Sequence, residues 1–263
     1  MAPDPPIEMV WTRKGLAVDN TLLVSLSHQL AAYRSMDVIA NNIANASTPA
    51  YKREGVKFEE FLTRMKPSET EKGPQSVSFV VDRGVMRDQS EGRMDRTNAP
   101  FDLAVSGKGY FVVQTPGGDR YTRDGHFQLD REGNLVTSNG NKVMGEGGPL
   151  TFSTDDGDIH FGADGTITGK QGQLGKVRLV AFDDEAAMKK EGASTYATDE
   201  APKPAEHAAL QQGMLENSNV EPVVEISHMI EVTRAYQLTA SITQSHQDLM
   251  RQAVSKLGAM PNS

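Results

Sequence analysis

Apolar positions recur at steps of three and four in two stretches, one near each end of the chain. In the middle they fall in short runs broken by turn residues. Near the start, Leu22, Leu26, Leu30, Tyr33, Met36, Ala40 and Ile43 form one helical stripe. Asp19 or Asn20 suits a helix cap, and Pro49 stops the helix, so it is expected to end near Ala46. About 27 residues at ~1.5 Å rise give roughly 40 Å, long for a helix of a compact domain. Near the other end, Pro222 fits a first helical turn. Ile226, Ile230, Thr233, Tyr236, Ala240, Thr243, Gln247, Met250, Val254 and Leu257 then follow at alternating steps, a heptad-like seam of about five repeats. Such a helix needs a partner, because its own propagation energy is small.

Between them the pattern changes. Nineteen of the 24 glycines lie between Gly84 and Gly192. Tyr110–Gln114 and Arg120–Arg123 flank Pro116-Gly-Gly-Asp119. Phe127–Leu129 and Leu135–Thr137 flank Arg131-Glu-Gly-Asn134, and Asp158–Phe161 and Thr166–Thr168 flank Ala163-Asp-Gly165. Val177–Phe182 is the most apolar run. Repeated hairpins at this spacing predict an antiparallel β domain, sandwich-like or barrel-like. Glu54–Met65 is expected to form a short helix with Phe58, Phe61, Leu62 and Met65 on one side.

The fold class is therefore α+β, a central antiparallel all-β domain between two long terminal helices. Those helices are expected to pair as an antiparallel coiled coil, since each must bury its stripe. The expected organisation is a disordered leader at 1–17, the N-terminal half of the coiled-coil domain at 18–46 and a connector at 47–84. The β domain follows at 85–205, a connector at 206–219, and the C-terminal half of the coiled-coil domain at 220–258.

Charge sharpens the picture of the first helix. From Asp19 to Ala46 only Asp19, Arg34 and Asp37 are charged. A solvated surface helix carries more, so this one expects partners on more than one side. The net charge of −8 argues against nucleic acid as a partner. No run approaches the ~20 apolar residues that span a membrane. Cysteine is absent, which removes disulfides, thiolate chemistry and Cys-ligated metals. Met1–Leu16 has no apolar core after a basic start, so it does not read as a secretory signal.

Candidate chemistry is sparse. The six histidines are scattered without metal-ligand spacing, and His126 reads as a packed strand residue. Asp155-Asp-Gly-Asp158 lacks the spacing of an EF-hand and reads as a solvated surface. Arg123 and Asp124 suggest a structural ion pair. Gly145-Glu-Gly-Gly148 leads to Pro149 and a strand, so no phosphate cradle is expected. No nucleophile, metal or Walker motif appears. No enzyme, metal or cofactor is expected.

Three blocks carry a resemblance. Val38-Ile-Ala-Asn-Asn-Ile-Ala-Asn45 with Thr48-Pro49 and Tyr51-Lys-Arg53 resembles the N-terminal signature of the bacterial flagellar axial proteins of rod and hook. Leu215-Glu-Asn-Ser-Asn-Val220 and Met229-Ile-Glu-Val-Thr-Arg-Ala-Tyr236 resemble the C-terminal one. Thr97-Asn98, Phe101–Ala104, Gly107–Phe111, Tyr121–Arg123 and Gly125–Phe127 resemble the shared β-domain block. Ala50 departs from the family, which usually has glycine there. The leader also departs by preceding the usual start, and Val18 is expected to be the true initiation site.

The resemblance implies a structural rod subunit, most like the proximal rod member, with the distal rod member as alternative. It implies torque transmission across the periplasm, an inner tube of terminal helices and an outward β domain. It also implies export through the flagellar type III apparatus without a cleaved signal. The implied partners are further copies and neighbouring rod subunits, with neither nucleic acid nor membrane insertion. The expected assembly interface comprises Leu22, Leu26, Leu30, Tyr33, Ala40, Asn41, Asn42, Ile43 and Asn45 on the first helix. On the second it comprises Ile226, Ile230, Tyr236, Ala240, Met250, Val254 and Leu257. The asparagines have a second reading, as groups that satisfy the helix end. A rival from another class is a β-domain binding module on a dimerising helical stalk.

Overall fold

The computed structural model describes residues 20–65, 75–192 and 194–258. The leader at 1–17 and the side chains of Leu22, Val254 and Leu257 lie outside the described set. The chain divides into two compact units. Among described residues the first holds 20–34, 58–65, 75–83 and 232–258; the second holds 35–57 and 84–231, apart from residue 193.

Both terminal helices are present, α1 at Asn20–Ala44 and α2 at Pro222–Gly258. The segment expected to be a short helix is instead a strand, β1 at Glu54–Met65, paired with β2 at Gln75–Arg87. Local apolar spacing allowed a helix here, but Gly55, Val56 and Phe58 suit a strand, and pairing with a distant segment decides such cases. The stretch 47–84, expected as a connector, thus holds β1 and most of β2.

The second unit carries the β domain. β3 (Met94–Arg96), β4 (Leu103–Ser106), β5 (Tyr110–Thr115) and β6 (Gly118–Thr122) open it. β7 (Phe127–Leu129), β8 (Leu135–Thr137), β9 (Lys142–Gly145) and β10 (Gly148–Pro149) follow. Then come β11 (His160–Phe161), β12 (Thr166–Gly169), β13 (Gly172–Lys176) and β14 (Leu179–Ala181). β15 (Lys189–Lys190), β16 (Thr195–Ala197), β17 (Lys203–Pro204), β18 (Ala209–Gln212) and β19 (Met214–Glu216) close it. The main sheet runs β15-β16-β6-β5-β9-β8-β7, with β10 on β9 and β14 between β5 and β17. β11-β12-β13 form a second sheet, and β18 and β19 return to pair with β4 and β3. The registered pairs of this domain are antiparallel, as the hairpin pattern predicts.

Alternation along the strands fills two cores. Leu103, Val105, Phe111, Val113, Phe127, Leu135, Val143 and Ile167 lie in one. Tyr110, Val112, Tyr121, Val180, Phe182, Met188 and Tyr196 lie in the other, so successive residues of β5 face opposite cores. The β19 return also sets the site described next. Gly92 lies so close that a Cβ there would stand 1.9 Å from the Asn217 carbonyl oxygen.

Among the described residues, many of the expected seam positions are left exposed. Leu26, Leu30 and Tyr33 are 51%, 62% and 60% exposed, and Ile226, Ile230 and Met250 are 48%, 47% and 53% exposed. The last turns of α1 bury Val38, Ile39 and Asn42, on a face beside the expected stripe. Antiparallel coiled-coil pairing therefore stays a proposal.

Candidate assembly site

Residues from all three sequence blocks meet inside the second unit. α1 ends in a short turn in which Thr48 N donates to Asn45 O at 3.0 Å. Asn45 Nδ2 donates to the Asn41 carbonyl at 2.8 Å, a second bond to an acceptor that the Asn45 N–H already reaches at 3.1 Å. Ala50 then adopts φ 55° and is buried, with its N–H donating to Glu216 O at 2.8 Å. That left-handed backbone is where glycine is favoured, so the alanine accepts strain that glycine would not. Tyr51 follows, buried, its hydroxyl donating to Asn41 Oδ1 at 2.7 Å under the Lys190 ammonium. Burial, and then the nearby Glu54 carboxylate, push its phenol above the ordinary range.

Asn42 is the first node. It is 1% exposed. Its Nδ2 donates to Glu54 O at 2.7 Å and to Glu225 Oε2 at 3.1 Å. Its Oδ1 accepts from Glu54 N at 2.9 Å and, at 3.2 Å, shares the single Tyr51 hydroxyl proton with Asn41. Both donors and both lone pairs are used within the chain, which leaves nothing for a neighbour. Glu225, also 1% exposed, further accepts from Arg53 Nε at 2.6 Å. One side chain of α1 thus meets one of α2 directly, and Arg53, just before β1, holds the same carboxylate.

Glu216 is the second node, at the end of β19 and 1% exposed. It accepts from Lys52 Nζ at 2.6 Å, Arg123 Nε at 2.8 Å and Gly92 N at 3.0 Å. Burial alone would raise its carboxyl pKa. Arg123 and Lys52 outweigh that and hold it below the ordinary value. Burial lowers the Lys52 pKa against the pull of Glu216. Arg123 spends its remaining donors on the carbonyls of Val105, Gly107 and Gly109. Asn219 ties the same corner, accepting from Arg53 N at 2.6 Å and donating to Asp88 O at 2.9 Å. Buried charges with this many partners are the arrangement that survives desolvation.

Other expected interface positions of the two helices are covered to different degrees. Ala40 is exposed and Ile43 half-buried on α1; Tyr236 and Ala240 are half-buried on α2. α2 also exposes Leu238, Ile242 and Leu249 at 63%, 52% and 65%, a second stripe that the heptad reading missed although its steps of four and seven are helical. The ionic nodes were missed as well. Their signal was a charge embedded in an apolar run, as in Pro222-Val-Val-Glu-Ile226.

The remaining candidates resolve into structure. Arg123 pairs with Glu216 rather than Asp124. His126, expected as a packed strand residue, is instead exposed at an isolated bridge, with its Nδ1 2.8 Å from Asp102 Oδ1. Asp156 and Ser153 form a reciprocal cap on a single turn at Thr154–Asp156. Gly145 and Gly148 sit in the β9–β10 hairpin. Among the described residues no helix is long and apolar enough to cross a membrane.

Exposed apolar residues on both terminal helices, and no constellation that suggests chemistry among the described residues, point to a structural protein. Comparison with known sequences gives its family. The profile for the flagella basal body rod protein matches residues 22–52, and that for the flagellar basal body rod FlgEFG protein C-terminal region matches 211–256. The profile for the flagellar hook protein FlgE/F/G D1 domain matches 104–169. The chain is 42% identical over 247 residues to the flagellar basal-body rod protein FlgF of Caulobacter vibrioides, covering 92% of this chain and 99% of that one. It is 32% identical to FlgF of Mesorhizobium japonicum over the same shares. It is also 32% identical to the flagellar basal-body rod protein FlgG of Buchnera aphidicola subsp. Acyrthosiphon pisum, over 82% of this chain and 92% of that one. The chain belongs to the flagellar basal-body rod protein family and is FlgF-like. Its function is that of a structural subunit of the basal-body rod.

Proposed function

We propose that the chain is a proximal-rod subunit whose terminal helices pack with those of its neighbours into an inner tube, with the β domain outward. The exposed stripes on α1 and α2 carry this reading, because Leu26, Leu30 and Ile230 are otherwise left about half in water. The assembled rod transmits motor torque across the periplasm. The buried ionic base gives that load a stiff path from helix to β domain. Its partners are further copies of itself and neighbouring proximal and distal rod subunits. The flagellar type III apparatus exports it without a cleaved signal, threading an unfolded chain that has no cysteine to cross-link. The FlgF likeness at 42% identity favours the proximal over the distal member.

Leu26→Asp and Ile230→Asp test it. Both sites are about half exposed in the isolated chain, so the charge costs the fold little. In the assembled tube an unpaired carboxylate would be buried, a penalty of several kcal/mol per copy. The expected outcome is a soluble subunit with an intact β domain and no rods, seen by electron microscopy of basal bodies. Normal flagella in either variant would refute the packing.

A further inference from the structure

Glu225 stands in the first turn of α2, and its carboxylate is held by Asn42 Nδ2 of α1 and by Arg53 Nε. Asn42 in turn grips both backbone groups of Glu54, at the start of β1. Val38 and Ile39 are buried on the same end of α1, and Val220 is buried just before α2. One carboxylate therefore fixes the last turns of α1 and the first turn of α2, all within the second unit. Its position also suits the helix dipole, which favours negative charge at an N-terminus.

Further along, the helices look different. Leu26 and Leu30 on α1, and Leu238, Ile242 and Leu249 on α2, are all more than half exposed. Isolated helical segments of this kind are marginal in water, because starting a helix costs a factor of about 10⁻³ while extending it gains little per residue. A turn already fixed at one end removes the starting cost.

We propose that the Asn42–Glu225–Arg53 junction holds a preformed helical nucleus for each terminal helix in the free subunit. From these nuclei α1 grows toward its N-terminus and α2 toward its C-terminus when a neighbouring copy covers their apolar faces. Assembly then meets a subunit that has two started helices and needs only extension. This growth step rests on the rod reading, whereas the nuclei themselves are a property of the free chain. The two failures are therefore distinguishable.

Hydrogen exchange with mass spectrometry on the full-length free subunit tests it. Amides of residues 38–44 and 226–231 should be protected to within about tenfold of those in β5. Amides of 24–33 and 236–256 should exchange at least about a hundredfold faster. Glu225→Ala should remove protection from both helical segments together while β5 and β6 keep theirs. Arg53→Gln, at a side chain 36% exposed, should weaken both in the same direction even if Glu225→Ala disturbs the β domain. Uniform exchange along each helix, whether fast or slow, would overturn the proposal. So would a Glu225→Ala effect confined to α2.

Discussion

At the residue scale, the molecule depends on two buried carboxylates. Glu216 neutralises Lys52 and Arg123 at hydrogen-bond distance, with the half-exposed Glu91 carboxylate farther off, 3.8 Å from Arg123. Glu216→Gln keeps the shape but leaves both buried cations without their shared carboxylate, a loss of about 3–5 kcal/mol. Denaturant unfolding of the β domain is expected to show that loss as a lower midpoint with little change in slope. The same residue sets an acid limit. Its folded carboxyl sits below the ordinary 4.5. Its stabilisation is thus complete above the unfolded value and is lost as pH falls through the folded one. The thermal midpoint should fall as pH drops below about 4.5, and the Glu216→Gln variant should lose that part of the slope. These roles were hard to read in the sequence. Tyr51-Lys-Arg53 and Leu215-Glu-Asn217 stood out as motif residues, yet nothing local said that Lys52 and Glu216, 164 positions apart, would share a buried hydrogen bond. Ala50 was the opposite case. Its departure from glycine was visible in the chain, and its φ of 55° shows why glycine suits that place.

At the scale of elements, periodicity told the truth where a segment decided its own fate. α1, α2 and the hairpins β5–β6 and β7–β8 stand where apolar spacing and turn residues put them. It misled at Glu54–Met65, where spacing allowed a helix but pairing with Gln75–Arg87 made a strand. The helical faces show a subtler limit. The stripe from Leu26 to Ile43 is apolar and regular, yet α1 buries Val38, Ile39 and Asn42. Spacing marks an apolar face without saying whether the chain itself or a neighbour covers it. Asn42 shows the same ambiguity in a polar residue. It looked available to a neighbouring subunit, but Tyr51, Glu54 and Glu225 consume it fully.

At the scale of the whole molecule, the two units divide the labour. The second unit has closed cores and a satisfied ionic base, so its stability is its own. The first includes the outer parts of α1 and α2, whose exposed leucines and isoleucines are unexplained in a lone chain. A rod subunit accounts for both, since association covers what the monomer leaves open. The absence of cysteine makes this directly measurable. A single thiol introduced as Leu26→Cys or Leu238→Cys would be the only one in the chain. Maleimide labelling should go to completion on the free subunit. In isolated basal bodies that thiol should be protected until the rod is dissociated. Equal labelling of free and assembled protein would show that these helical faces stay in water, and would contradict the claim that they are the surfaces that build the rod.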